Sequence, residues 1–131
     1  MANFTQQGSQ LILSTLLEGG TIAANNTWLG LATAAISNTT TLATVTECSG
    51  GSYTRKNVTS ANWSETTGVA SMASVVTWGT GVVITAATYW FLCDQASGTA
   101  GNLICYGALS TSRTLTTADT LTEQITSLSI S

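Results

Sequence analysis

Few side chains in this chain of 131 residues could carry acid–base or metal chemistry. It has no histidine, three basic residues and six acidic residues. Charged residues make up 7% of the sequence, against about a quarter in an ordinary soluble domain. A serine nucleophile would need a lysine or a carboxylate as its base. Lys56 lies beside Arg55 in a segment that we expect to be an exposed strand. We interpret it as a solvated edge cation, which discourages edge-to-edge strand pairing.

The carboxylates form no recognisable catalytic pair. A glycosidase needs two that flank one sugar bond. The candidates are Glu18, Glu47, Glu65, Asp94, Asp119 and Glu123. Asp94 and Asp119 fall in turn-forming segments, where an aspartate ordinarily hydrogen-bonds its own backbone. Residues 94–98 hold too few oxygen-bearing side chains for a calcium loop. We therefore predict no enzyme activity, no cofactor and no metal site.

The tryptophan residues could have either of two roles. Tryptophans occur at four positions, Trp28, Trp63, Trp78 and Trp90. They could form a platform on which sugars stack, or they could pack in the core and at interfaces. The second alternative is the more common use of tryptophan in a small β domain.

The sequence also leaves open whether the cysteines are bonded or free. Cys48, Cys93 and Cys105 are odd in number and show no C-x-x-C spacing, so they match neither a disulfide framework nor a zinc site. Cys93 and Cys105 could face each other across a hairpin and form a disulfide. We favour free thiols that are buried as small apolar side chains.

Charge and hydropathy exclude two classes of partner. The net charge is −3 and only three cations are present, whereas affinity for nucleic acid grows with the number of phosphates neutralised. No apolar run approaches the ~20 residues that a membrane span requires, and the N-terminus lacks the basic region of a secretory signal. A surface so poor in charge is suited to contact with copies of itself or with another protein.

The sequence predicts one helix, over residues 3–18. Asn3 is the expected N-cap, and Gln6 stands where a capping-box side chain would reach back. Apolar residues follow at helical spacings, at Phe4, Ile12, Leu13, Leu16 and Leu17. Gly19 and Gly20 supply the stop.

Residues 27–131 predict short strands. The expected strands are residues 27–33, 53–58, 69–78, 82–93 and 103–109, and a last one carrying Leu121, Ile125, Leu128 and Ile130. Residues 37–52 predict a long surface loop, and residues 79–81 a tight hairpin connection. Residues 89–93 are apolar on both faces and predict a central strand paired with residues 103–109. The pattern predicts a single domain, 1–131, folded as an antiparallel, jelly-roll-like β-sandwich with a short N-terminal helix.

Three stretches, residues 50–55, 78–83 and 89–109, resemble small virion proteins of tailed bacteriophages. In that family a helix ending in Gly-Gly precedes a strand and a turn of the form (S/E)-x-x-G-G-x-Y-x-R. A hairpin F-x-I-x-D-A-A-x-G-G-N-L-L-x-x-G-A-L and a turn T-x-x-x-G-D-T-L follow. The matching residues are Asp94, Gly101, Asn102, Leu103, Gly107, Ala108, Leu109, Asp119, Thr120 and Leu121. Ala118, where glycine is usual, and a longer middle loop depart from the pattern.

The resemblance implies a virion structural protein, assembled in the host cytoplasm. Our first hypothesis is a capsid decoration, or cement, protein that binds major capsid proteins as a homotrimer and stabilises the head. The alternative is a tail or tail-fibre component that binds other tail proteins or host glycans, and a glycan-active enzyme is a more distant one. We predict that Arg55, Lys56, Trp63 and Arg113 contribute to the interface. The cations would face an acidic neighbour.

Overall fold

The computed structural model of the chain describes residues 2–21 and 26–126 with their side chains, and residues 128–129 by their backbone. The described residues form one α-helix, one 3-10 turn at Ser60–Asn62 and ten strands. The elements are β1 (Asn3–Phe4), α1 (Gln6–Leu17), β2 (Trp28–Ala32), β3 (Lys56–Asn57), β4 (Trp63–Thr66), β5 (Val69–Met72), β6 (Val76–Trp78), β7 (Ile84–Cys93), β8 (Leu103–Leu115), β9 (Leu121–Glu123) and β10 (Leu128–Ser129).

The largest sheet is antiparallel and has five strands in the order β1-β8-β7-β2-β3. β7 and β8 form the predicted central hairpin, with Phe91 opposite Tyr106 and Leu92 opposite Cys105. On one face of β7, Trp90 and Leu92 belong to the main core; on the other face, Phe91 belongs to a second cluster under the long loop. Both faces are covered, which explains the unbroken apolar run.

Two smaller antiparallel sheets pack against the main core. They have the orders β10-β5-β4 and β6-β9. The predicted strand 69–78 is in fact two strands in different sheets, and residues 79–81 do not close a hairpin, because β6 pairs with β9. Trp78 fixes this arrangement: it is fully buried, opposite Leu121, and its Nε1 donates to the carbonyl oxygen of Thr54 at 2.9 Å.

Three further features of the strands differ from the prediction. The strand β4 was not predicted. β8 continues to Leu115, well past residue 109. The last strand is split into β9 and β10, with Ile125 buried between them, and its predicted member Ile130 lies outside the described residues. The fold class nevertheless follows the prediction: mainly β, antiparallel and sandwich-like, with one short N-terminal helix.

The helix begins later than predicted, and its N-cap is Thr5, not Asn3. Asn3 is engaged in β1, opposite Tyr106 of β8. The Thr5 hydroxyl accepts a hydrogen bond from the N–H of Gly8 at 3.0 Å. A Cβ atom at Gly8 would lie 2.0 Å from the carbonyl oxygen of Ile104, so only glycine permits this approach of helix to strand. The helix ends as predicted before Gly19, whose φ is +72°.

The three cysteines are free and buried, as we favoured. Cys105 contributes to the main core and Cys93 to the cluster on the other side of the sheet, so the two thiols point to opposite faces and cannot join across the hairpin. Burial raises the pKa of Cys48 to about 11 and that of Cys105 to about 12, and it also raises the pKa of Cys93.

We therefore expect the folded protein to resist thiol reagents. At pH 8 an aromatic disulfide reagent should release almost no chromophore from the native chain, because the reactive thiolate is scarce and inaccessible. In denaturant without reductant it should titrate all three cysteines. Release of a single equivalent in denaturant would instead reveal a disulfide between two of them.

Candidate interaction surfaces

Arg55 was predicted to be an exposed interface cation, and this expectation is wrong: the residue is 5% exposed. Its Nε and Nη2 donate to the two carboxylate oxygens of Glu47 at 2.9 and 2.7 Å. Nη1 and Nη2 also donate to the carbonyl oxygens of Gln95 and Gly98 at 3.0 and 2.9 Å. The guanidinium carbon lies 5.5 Å from the centre of the Phe91 ring. Arg55 therefore joins the long loop to the 94–102 turn.

Tyr53 completes this buried cluster. Its hydroxyl donates to Glu47 at 3.1 Å and accepts from the N–H of Leu31 at 2.8 Å. Burial and the neighbouring Glu47 carboxylate raise the Tyr53 pKa far above its ordinary value. Gly50 and Gly51 have φ of +136° and +56°, and their backbones lie against residues 81–83. The E-x-x-G-G-x-Y-x-R motif is thus a structural link between loops.

A hollow of about 210 Å³ lies over this cluster, lined in part by Cys48, Thr54 and residues 96–98. The polar groups beneath it are engaged with one another, so it presents no free acid or base. Asp94 accepts from the backbone and side-chain N–H groups of Asn102, both at 2.7 Å. Asp119 likewise accepts from the backbone N–H and hydroxyl of Thr116, and these bonds lower its pKa. Both aspartates stabilise turns, as predicted.

The other three predicted interface residues retain exposed surface. Lys56 is half-buried on the edge strand β3, and Arg113 is exposed on β8. Burial raises the pKa of Glu123, and the charge of Arg113 offsets part of this rise. Trp63 is half-buried on the edge strand β4 and packs against the main core. Strand order and register separate Lys56 from Arg113 by on the order of 20 Å. The two cations do not form one patch.

An apolar surface that the sequence did not reveal lies on the outward side of α1. Leu13, Leu16 and Leu17, which the sequence placed at helical spacings, are 53%, 75% and 74% exposed. The outward face of α1 consists of Gln6, Ser9, Gln10, Leu13, Leu16 and Leu17. A groove of about 360 Å³ runs beside its N-terminal half and is lined by Phe4, Gln10, Leu13 and Asn38 among others.

In the described ranges, no three histidine, cysteine, aspartate or glutamate side chains converge as a metal site requires. None of the described helices has the length and apolar character needed to cross a membrane.

Comparison with known families identifies the class of protein. Residues 3–131 match the family described as Podophage GP4 fiber I protein gp80. The chain belongs to this family. It is a structural protein of a tailed-phage virion, of the fibre type, and its place is in the virion. A search among curated proteins finds no match. Membership of the fiber I family fits the tail-fibre alternative better than the first hypothesis of capsid decoration.

Proposed function

We propose that this fiber I family protein is a component of the phage tail or tail fibre and acts by binding neighbouring virion proteins. The observation that carries the proposal is the family match over residues 3–131. The role is interfacial and involves no catalytic step. In support, the carboxylates of Glu47, Asp94 and Asp119 all serve internal hydrogen bonds. The partners are other virion proteins, and the homotrimer remains a prediction.

The location can be tested by labelling the particle. A short epitope inserted at the exposed turn of Thr67 and Gly68, between β4 and β5, should leave the core intact. We expect antibody to this epitope to mark the tail or its fibres in electron micrographs of the phage. Label spread over the head shell would contradict the proposal and would favour capsid decoration.

We expect Lys56 and Arg113 to support attachment electrostatically. Replacing either with alanine should weaken rebinding to particles that lack the protein by up to about fivefold, since exposed ion pairs contribute up to about 1 kcal/mol. The loss should be larger at low salt, where charges act over a longer range. Occupancy measured across ionic strengths tests this.

The matched controls are Lys56→Arg and Arg113→Lys, which keep the charge and should bind normally. Equal occupancy of the alanine variants at every salt concentration would show that the apolar surface alone drives attachment. Arg55 is a poor probe here, because its replacement would disturb the fold.

A further inference from the structure

We propose that a bulge in the long strand β8, residues 109–113, binds a carboxylate-bearing surface of a neighbouring virion protein. This inference rests on the proposed function, because it names the surface through which the protein attaches and the chemistry of its partner. The bulge combines a fixed backbone, four side chains with unused hydrogen-bond donors, and one positive charge.

The bulge interrupts the pairing of β7 with β8. Ala108 lies opposite Tyr89, and Arg113 lies opposite Ala87. The one residue between these partners on β7 therefore faces four residues on β8, 109–112, whereas a regular ladder has one residue opposite each. Bulges re-aim side chains and are over-represented next to functional sites.

Buried residues hold the bulge at both ends. Before it, the backbone of Gly107 lies against the ring of Trp90. After it, Leu115 is buried in the main core opposite Ile84. Leu109, within the bulge, also packs against that core. The packing on either side therefore fixes the position of the residues that the bulge presents.

The facing strand is strained at the same place. Ala86 has a φ of +52°, a conformation that residues other than glycine rarely adopt. Its N–H donates to the hydroxyl oxygen of Thr114 at 3.1 Å, and a second irregularity of register lies between Ile84 and Ala87. Such strain persists where the surrounding structure enforces it, and it clusters at binding sites. Two departures from a regular ladder thus coincide on one exposed ribbon.

The bulge also presents unused hydrogen-bond donors. Residues 110–113, Ser-Thr-Ser-Arg, are all exposed, and their side chains have no hydrogen-bond or ion-pair partner among the described residues. In the long loop, by contrast, hydroxyl groups bond to one another, Ser37 with Thr40 and Thr41 with Thr44. The polar groups of the bulge are therefore left available to a partner.

The chemistry of these four side chains selects a carboxylate. A guanidinium group only donates hydrogen bonds and a hydroxyl group can donate one, so together they match an acceptor that carries negative charge. Within the part of the chain that the structure describes, the one ion pair is that of Arg55 with Glu47. Glu123 is near enough for Arg113 to affect its pKa, but the two form no ion pair. An aspartate or glutamate of the partner would supply the missing charge.

The form of the bulge favours a protein over a glycan as the partner. Sites for small molecules are ordinarily concave. The two hollows described above are lined by other segments, one beside α1 and one over the Arg55 cluster. Residues 109–113 also include no aromatic ring on which a sugar could stack. An exposed segment with one cation instead suits an acidic recess of another protein, where neighbouring contacts exclude water from the charge pair.

The first test adds negative charge to the bulge. We expect Thr111→Glu with Ser112→Glu to lower affinity for purified particles that lack the protein at least about tenfold, because the new carboxylates repel those of the partner and compete for Arg113. Both replaced residues are exposed, so the variant should fold normally, which its urea unfolding curve can verify.

The matched control is Thr46→Glu with Ser49→Glu. It makes the same chemical changes at two exposed positions of the long loop and gives the same net charge. We expect it to bind within about twofold of wild type at physiological salt, where screening limits distant charges. Equal loss in the two variants, or normal binding of the bulge variant, would overturn the proposal.

The second test identifies the surface that the bulge touches. Ala108 is exposed at the edge of the bulge, and the native thiols are buried, so Ala108→Cys can carry a photoreactive label. On rebound particles, light should link it to an aspartate- or glutamate-containing peptide of another virion protein. The same label on Thr67→Cys, at the turn between β4 and β5, should not give that product.

Three outcomes of this test would overturn the proposal: no such link, a link only to a second copy of this chain, or a link to saccharide when envelope fragments of the host replace the particles. Failure here is distinguishable from failure of the proposed function. Tail labelling by the epitope at Thr67 and Gly68, without a link from Ala108, would leave the tail location intact and exclude only the bulge as the attachment surface.

Discussion

Replacement of Phe91 by alanine should lower the free energy of unfolding by about 3–5 kcal/mol, the largest single effect that we expect from a core residue. Phe91 is fully buried on the central strand β7. Its ring lies so close to Gly30 on β2 that a Cβ atom there would be 2.3 Å from it. Removing the ring leaves a cavity between rigid strands and also takes away the aromatic face beneath Arg55.

Urea unfolding monitored by tryptophan fluorescence measures this change. Val75→Ala is the control, because this partly exposed side chain should cost well under the Phe91 value. Near-wild-type stability of the Phe91 variant would mean that the ring is not part of the core.

Replacement of Glu47 by glutamine should cost about 3 kcal/mol, because it leaves the Arg55 guanidinium buried without its counter-ion. The side chain of Arg55 is 3% exposed and that of Glu47 is 26% exposed, so water can restore only part of the lost charge interaction. The matched control is Glu65→Gln, the same change at an exposed residue, which should shift stability by less than about 0.5 kcal/mol.

The double replacement Glu47→Leu with Arg55→Met separates charge from hydrogen bonding. Apolar replacement of a buried ion pair is often nearly neutral. Here we expect only partial recovery, because the carbonyl groups of Gln95 and Gly98 lose their donor. Full recovery would show that those two hydrogen bonds contribute little.

The sequence alone predicted the central hairpin, the helix and the role of the turn aspartates. Residues 89–93 and 103–109 are long enough, and apolar enough on both faces, to specify a covered pair of strands with a glycine-rich turn between them. Asp119 binds Thr116, three residues away, and Asp94 binds Asn102, eight residues away across one turn. These features are local, and local pattern is sufficient to determine them.

The pairing of β6 with β9 and of β5 with β10 could not be predicted in this way. Each strand is only two to four residues long, so its alternation carries little information about register or partner. The choice rests on long-range burial, above all that of Trp78 against Leu121. For the same reason β4 passed unnoticed, and residues 69–78 looked like one strand.

Tertiary structure also decided which candidate interface residues lie at the surface. Arg55 and Lys56 are adjacent cations in the sequence, yet of the two only Arg55 is buried. Its guanidinium group binds the carboxylate of Glu47 and the carbonyl groups of Gln95 and Gly98, which lie 8 to 43 residues away in the sequence. The apolar period of α1 predicted a helix but not which side faces the core. The contact of Gly8 with the Ile104 backbone decided that, because only the absence of a side chain lets the helix approach there. Composition predicted that this protein would act through its surface, and long-range packing determined which residues that surface presents.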